Sequence, residues 1–486
     1  MQDPERPPAV PESAAIPDRG TAPGPGAAGA GLRRRLVVLG ICVVVALATV
    51  VAVQRSVDGS GDRRANPGQA AAGLASGVPQ KTSTRTETAG STEGSSGGNQ
   101  VPAQPAAALG DLLSARAAAI RGGDRAGWLA ALAPASDDAK LKRFRSAQAE
   151  VFDRIRQLRP VAWSYQVAGG YPLPVRRVAA LGGAAWLADV ELDYQLAAGA
   201  PTVQRQQFLT VVRHGQSWAL ADDTDGATGR DVWDLGPISQ ASSARCLVIG
   251  ARGRQAQVRR FAAECAVSAR TVDQAWGSSW PRRTVLTVPN TLSQLAVLLG
   301  RSGDTAGLEK TAAVTVGPSA GAADTVLINA SAFDELSPVG RRVVLTHEMV
   351  HVATRATGSR SAPTWLSEGY ADYVAYADTG LSAAEVAGEA LTAVRDGKPP
   401  TELPAAADFN AAGDQAAAAY GFAWVAAGLI AAKVGDSPAR MRAFYQQAAA
   451  PGSGSAGLDA ALAAVGLGGT KEFVGIWQAR LRRLAE

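Results

Sequence analysis

The run His347-Glu348-Met349-Val350-His351 constrains this chain more than any other feature. Residues four apart on an α-helix lie one above the other on the same face. The two imidazoles can therefore grip one metal ion only if 347–351 is helical. The glutamate after the first histidine then stands where it can polarise a water on that metal. The chain spends two of its three histidines here. The flanks agree with a helix. Ser337-Pro338 reads as a cap followed by proline at the first helical position. Val339, Val343, Val344 and Val350 recur at helical spacing, and Gly358 stops the run.

Zinc that performs chemistry takes three protein ligands and keeps a fourth position for water. No histidine follows His351, which excludes a third histidine on its carboxyl-terminal side. The first acidic residue after it is Glu368, within Pro363-Thr364-Trp365-Leu366-Ser367-Glu368-Gly369-Tyr370-Ala371-Asp372-Tyr373. Pro363 marks a second helix start, and Glu368 and Asp372 share one face of that helix. Glu368 is a candidate ligand, with Glu385 and Glu389 next in line. Asp372 is a candidate acceptor for the free ring N–H of His347. The plain alternative for the pair is a solvated acidic stripe.

The combination of H-E-M-V-H with W-L-S-E-G-Y-A-D-Y resembles the gluzincin branch of the zinc metallopeptidases, the peptidase-MA-like group. The likeness runs from residue 226 to 486 and is sharp over 343–376. It implies one zinc ion held by His347, His351 and Glu368, with Glu348 as general base and Asp372 orienting a ligand histidine. It also implies a peptide or protein substrate. Tyr420, in Ala419-Tyr420-Gly421, resembles the tyrosine-glycine start of a helix that supplies an oxyanion donor in related enzymes; a tyrosine simply packed there is the alternative. Tyr370, Tyr373 and Tyr376 compete for that role, the last two reading as core residues of the Glu368 helix. No G-x-M-E-N-like segment precedes the histidines, so an endopeptidase is expected rather than an aminopeptidase. By the same resemblance the strand just before the histidine helix, at 325–329, lines the cleft.

The amino-terminal third bears on location. Residues 36–53 form an apolar stretch without a charge, near the lower length limit for a membrane-spanning helix. Arg33, Arg34 and Arg35 abut its start, which favours a cytoplasmic tail at 1–35. The long segment ahead of the arginines and the lack of a small-x-small cleavage site favour an uncleaved signal-anchor over a signal peptide. Cys42 lies in the span behind a large residue, so it reads as a small apolar membrane residue and not as a lipid attachment point. Residues 54–106 are Gly, Ser, Thr, Ala, Gln and Pro in bulk and read as a flexible linker. The folded part is thus expected outside the cytoplasm, where Cys246 and Cys265 either pair or stay buried as free thiols. The net charge of +5 comes from scattered arginines, with no basic-aromatic surface of the kind nucleic acid needs.

The expected fold class is α+β in two folded parts. Residues 107–225 read as helices near 112–120 and 139–157, then antiparallel strands at 186–196, 208–212 and 217–220. This accessory part is similar to nuclear-transport-factor-2-like cones, and a protein or small-ligand partner is the role it suggests. His214, at a hairpin turn, is expected to be exposed and structural. Residues 226–486 read as strands at 246–249, 284–288, 313–316 and 325–329, a helix near 254–276, and a mainly helical carboxyl-terminal lobe with helices at 381–396, 414–433, 437–449, 458–465 and 470–484. A zinc peptidase anchored in the membrane is the leading functional expectation. A non-catalytic cell-surface binding protein that kept a metal site is the alternative.

Overall fold

The computed structural model describes residues 103–486 apart from 136, 318–323, 360 and 412. The expected cytoplasmic tail, the membrane span with Cys42, and the linker up to residue 102 lie outside the described residues. The described chain is α+β, built on two sheets. Its first helix, Ala103–Gly122, begins inside the stretch read as linker.

The first sheet is an antiparallel meander of β1 (Ala162–Pro172), β2 (Ala185–Gln195), β3 (Val203–His214) and β4 (Ser217–Asp222), in that spatial order. Strand β2 shows why it forms. Ala188, Val190, Leu192 and Tyr194 are buried, while Asp189, Glu191 and Asp193 alternate onto the other face, the pattern of a half-buried strand. The buried face packs on Leu109 and Leu113 of the first helix and Phe144 of the helix Ala139–Leu158. Strand β1 and a short helix, Val175–Leu181, were not anticipated from sequence. His214 pairs with Ser217 at the exposed β3–β4 turn.

The second sheet has the order β5-β6-β7-β9-β8, from β5 (Ile238–Ser242), β6 (Cys246–Ala251), β7 (Thr284–Val288), β8 (Ala313–Val316) and β9 (Thr325–Ile328). Strands β6, β7 and β9 run parallel, and β5 and β8 pair antiparallel at the two edges. The central strands are nearly all apolar because both their faces are covered. Cys246 and Val248 face the helix Gln255–Trp276 and the histidine helix Pro338–Ala356, whereas Leu247 and Ile249 pack under Trp163, Tyr194 and Trp233. The five-stranded sheet is therefore covered on one side by the histidine helix and the Gln255–Trp276 helix, and on the other by the accessory part beneath β6 and β7 and by Leu295, Leu298 and Leu299 beneath β8 and β9. Strand β9 lies inside the sheet, paired on both sides. The free edge on that side of the sheet belongs to β8. Cys246 and Cys265 are bonded (S–S 2.00 Å, Cα–Cα 6.3 Å), tying β6 to the middle of the Gln255–Trp276 helix.

The carboxyl-terminal lobe centres on the helix Asp414–Lys433, the one helix among the described residues long and apolar enough to cross a membrane. Most of its apolar window, 61%, is buried inside the protein, and Trp477 of the last helix, Thr470–Ala485, donates its indole N–H to the Phe422 carbonyl (3.1 Å). It is the core helix of this lobe. The helix Thr364–Tyr376 lies so close to it that a Cβ on Gly369 would sit 2.2 Å from the Ala423 carbonyl oxygen. The stretch read as one helix at 381–396 is two, Ala383–Val386 and Gly388–Arg395.

One charge cluster fastens the accessory part. Arg177 donates to Asp225 (2.7 Å), Asp138 (2.9 Å) and Asp222 (3.0 Å), and Asp225 also accepts from Lys140 (2.6 Å) and Thr210 (2.8 Å). Burial pushes the Asp225 carboxyl up, but these donors outweigh it and hold it below its ordinary value. A depressed carboxyl contributes stability above its unfolded pKa, about 3.9, and loses it as pH falls through the folded value. Arg177→Met removes the one donor that three carboxylates share and should cost roughly 3 kcal/mol at pH 7. Urea melts of the two proteins should differ most at neutral pH and converge below about pH 4.

Candidate metal centre

Two helices build the centre. Ser337 caps the histidine helix by accepting from the Gly340 N–H (3.0 Å), with Pro338 at the first turn. The helix is buried without a break from Val343 to Thr354, so His347, Glu348 and His351 are 1%, 0% and 1% exposed. It is held against the Gln255–Trp276 helix by an Arg341–Glu264 pair (2.9 Å) and by the Trp276 N–H on Thr357 (3.2 Å). The second helix, Thr364–Tyr376, brings Glu368 up beneath both histidines with no exposure at all.

Three donor atoms converge there. His347 Nε2 and His351 Nε2 are 3.0 Å apart, and Glu368 Oε2 lies 3.2 Å from the first and 3.4 Å from the second. The outer nitrogens are occupied elsewhere. His347 Nδ1 meets Asp372 Oδ1 at 2.8 Å, and His351 Nδ1 meets Ser367 Oγ at 3.3 Å. Donating the Nδ1 proton to Asp372 leaves the lone pair on Nε2, the tautomer a metal ligand needs. Glu368 Oε1 is buried with no hydrogen-bond partner.

The electrostatics follow from that crowding. Burial lowers the pKa of the His347 imidazolium, yet Asp372 and then Glu368 outweigh it and raise it well above its usual value. Burial raises the Glu368 carboxyl, but His351 and His347 pull it far below the carboxylate range. The Asp372 carboxyl stays raised because its burial exceeds the pull of His347. Two imidazole nitrogens and a carboxylate at these distances in a water-poor interior call for a positive charge among them.

A zinc ion fits the donor set. Tetrahedral zinc with ligands at ~2.0–2.1 Å separates them by about 3.3 Å, and the three observed separations are 3.0, 3.2 and 3.4 Å. Among the described residues, this trio is the one group of three or more potential ligands placed to hold a metal ion, and neither Glu385 nor Glu389 belongs to it. Glu385 is instead committed to a capping box with Ser382.

Glu348 follows His347 directly. Its Oε2 accepts from Thr315 Oγ1 of β8 (2.5 Å), and its Oε1 is buried without a partner. Tyr420 sits in the second turn of Asp414–Lys433 and not at a helix start. Its ring lies 6.3 Å from that of His347 and 5.0 Å edge-on from Phe409. Burial, then Glu368, Asp372 and Glu348, push its hydroxyl well above its usual 10.0, so it stays protonated. The rival tyrosines point elsewhere: Tyr370 donates to the Ala275 carbonyl (3.3 Å) and Tyr373 to Asp436 (3.2 Å). Thr315 and Ser367 were not foreseen as partners. Ser367 had a signal, its place next to Glu368, while Thr315 had none.

No protein-family model and no curated protein matches the chain. Among solved structures the chain is similar to a mutant M1 zinc metallopeptidase from Deinococcus radiodurans, crystallised with a Tyr-Ser-Ala substrate. Identity is 16% and the TM-score 0.31, over 65% of this chain and 61% of that one. The chain thus spans about three fifths of that protein's length, and a likeness this distant carries no argument.

Asp372→Ala leaves the His347 Nδ1–H without its acceptor. Zinc affinity, measured by competition with a chromophoric chelator, should fall about 10–100-fold. An unchanged affinity would mean that Asp372 does not orient the ligand.

Proposed function

We propose that residues 226–486 form a zinc-dependent peptidase, and that the chain is held at the membrane by 36–53 with this part outside the cytoplasm. The observation that carries the reading is the buried convergence of His347, His351 and Glu368 beside a glutamate with one uncommitted oxygen. Zinc bound by those three residues would supply a Lewis acid for the scissile carbonyl and lower the pKa of a water. Glu348 takes a proton from the attacking water through Oε1. As the C–O bond forms and the C–N bond breaks, the same carboxyl returns that proton to the leaving amine. Tyr420, kept neutral by its surroundings, is the donor for negative charge developing on the carbonyl oxygen.

Two observations favour catalysis over a retained structural metal. A structural zinc site is closed by four ligands, whereas the described residues supply three. A structural site also has no use for a carboxylate in the position of Glu348. An endopeptidase is favoured because no G-x-M-E-N-like segment precedes the histidines. The extracytoplasmic location is supported by the apolar run at 36–53 behind three arginines and by the Cys246–Cys265 bond, which persists in oxidising compartments.

Zinc content and cleavage of a peptide library by the purified chain test the proposal. The wild type should hold near-stoichiometric zinc and cleave internal bonds, and Glu368→Ala should lose the metal. Glu348→Gln should keep zinc and lose about 10²–10⁴-fold in kcat. Tyr420→Phe should lose about 10²–10³-fold in kcat. A wild type that binds no supplied zinc would turn the reading to the binding protein and to residues 107–225.

A further inference from the structure

The glutamate proposed as base has three side-chain torsions to be fixed. One contact that fixes them comes from the edge of the second sheet. Thr315 is 5% exposed and Glu348 is fully buried. The threonine hydroxyl lies 2.5 Å from Glu348 Oε2 and 3.1 Å from the Glu348 backbone oxygen. A hydroxyl carries one proton. The shorter contact, to a charged acceptor, is the stronger claim on it.

We propose that Thr315 is a positioning residue for Glu348, committing Oε2 so that Oε1 alone is left to exchange the proton with water. The inference rests on the peptidase reading. The side chain suits the task. A neutral hydroxyl orients the group through one directional hydrogen bond and brings no second charge beside it. The contrast between the two oxygens is the observation that points to a role: one carries a short hydrogen bond, and the other is buried with no partner. The arrangement also makes the base sensitive to the strand. Thr315 pairs with Val326 of β9 on one side, and β8 is the outermost strand. Whatever shifts that strand shifts the base.

The test compares wild type, Thr315→Val and Thr315→Ser as full chains. The valine keeps the shape and removes the hydroxyl, and the serine restores the hydroxyl. Thr315→Val should lose about 10–100-fold in kcat, as misplacement of a reacting group by an ångström does. Its KM and zinc content should stay as in the wild type, and Thr315→Ser should recover most of the loss. Crystal structures of the zinc-loaded proteins give a readout independent of turnover: the Glu348 carboxylate should leave its position in the valine variant and keep it in the serine variant. Wild-type kcat in Thr315→Val, loss of zinc in step with activity, or an unmoved Glu348 carboxylate would overturn the proposal. If the wild type cleaves no peptide, the peptidase reading fails by itself, and the position of Glu348 in the crystals still decides what Thr315 does.

Discussion

Two imidazole lone pairs and a carboxylate oxygen within 3.4 Å of one another are not a resting arrangement for a protein interior. In water such groups would be solvated separately. Here they are at most 1% exposed, and burying unpaired polar groups costs several kcal/mol unless something answers their charge. A bound cation, or a proton on the histidines, must do so. The rest of the fold reads as the scaffold that tolerates this cost. The histidine helix is buried all round over its middle, and the helix bearing Glu368 presses on the lobe's core helix where only Gly369 leaves room.

The centre is assembled from elements distant in sequence, each supplying one constraint. The helix Thr364–Tyr376 gives the third converging donor atom and the outer partners of both histidines, through Glu368, Asp372 and Ser367. Strand β8 gives the hydroxyl on Glu348. The helix Asp414–Lys433 gives a neutral phenol beside His347. The residue types differ as their tasks differ. A carboxylate meets the outer nitrogen of His347, a hydroxyl meets one oxygen of Glu348, and a buried, neutral phenol stands beside the His347 ring.

Much of this was legible before any coordinates, because it is local. Spacing of four residues, a Ser-Pro cap and a glycine stop define the histidine helix in sequence, and Pro363 with Glu368 and Asp372 one turn apart defines its neighbour. What was not legible is non-local or weakly patterned. Strand β5 reads Ile-Ser-Gln-Ala-Ser, too polar and too short to announce a strand, since it lies at an edge. Strand β1 contains Gly169-Gly170 beside a register shift, and glycines inside a strand weaken its signal. The order of the sheet cannot be read from a sequence in which β9 follows β8, because β9 inserts between β8 and β7. Thr315 became visible only when that order placed its strand against Glu348.

The accessory part enters the chemistry through the same sheet. A strand alternates its side chains between two faces, and β6 uses both. Val248 fills the core that holds Met349 and Val350 of the histidine helix, while Leu247 and Ile249 fill the core beneath Trp163 and Trp233. The central strands β6, β7 and β9 have no exposed face to offer to water. Residues 226–486 without that cover would expose Leu247, Ile249 and Val285 together on the strands at the centre of the sheet. The accessory part is therefore a wall of the second sheet as well as a unit with a core of its own. Strand β8 is braced separately: Val314 and Val316 pack with Leu327 on Leu295, Leu298 and Leu299, so the strand that carries Thr315 is held from within residues 226–486.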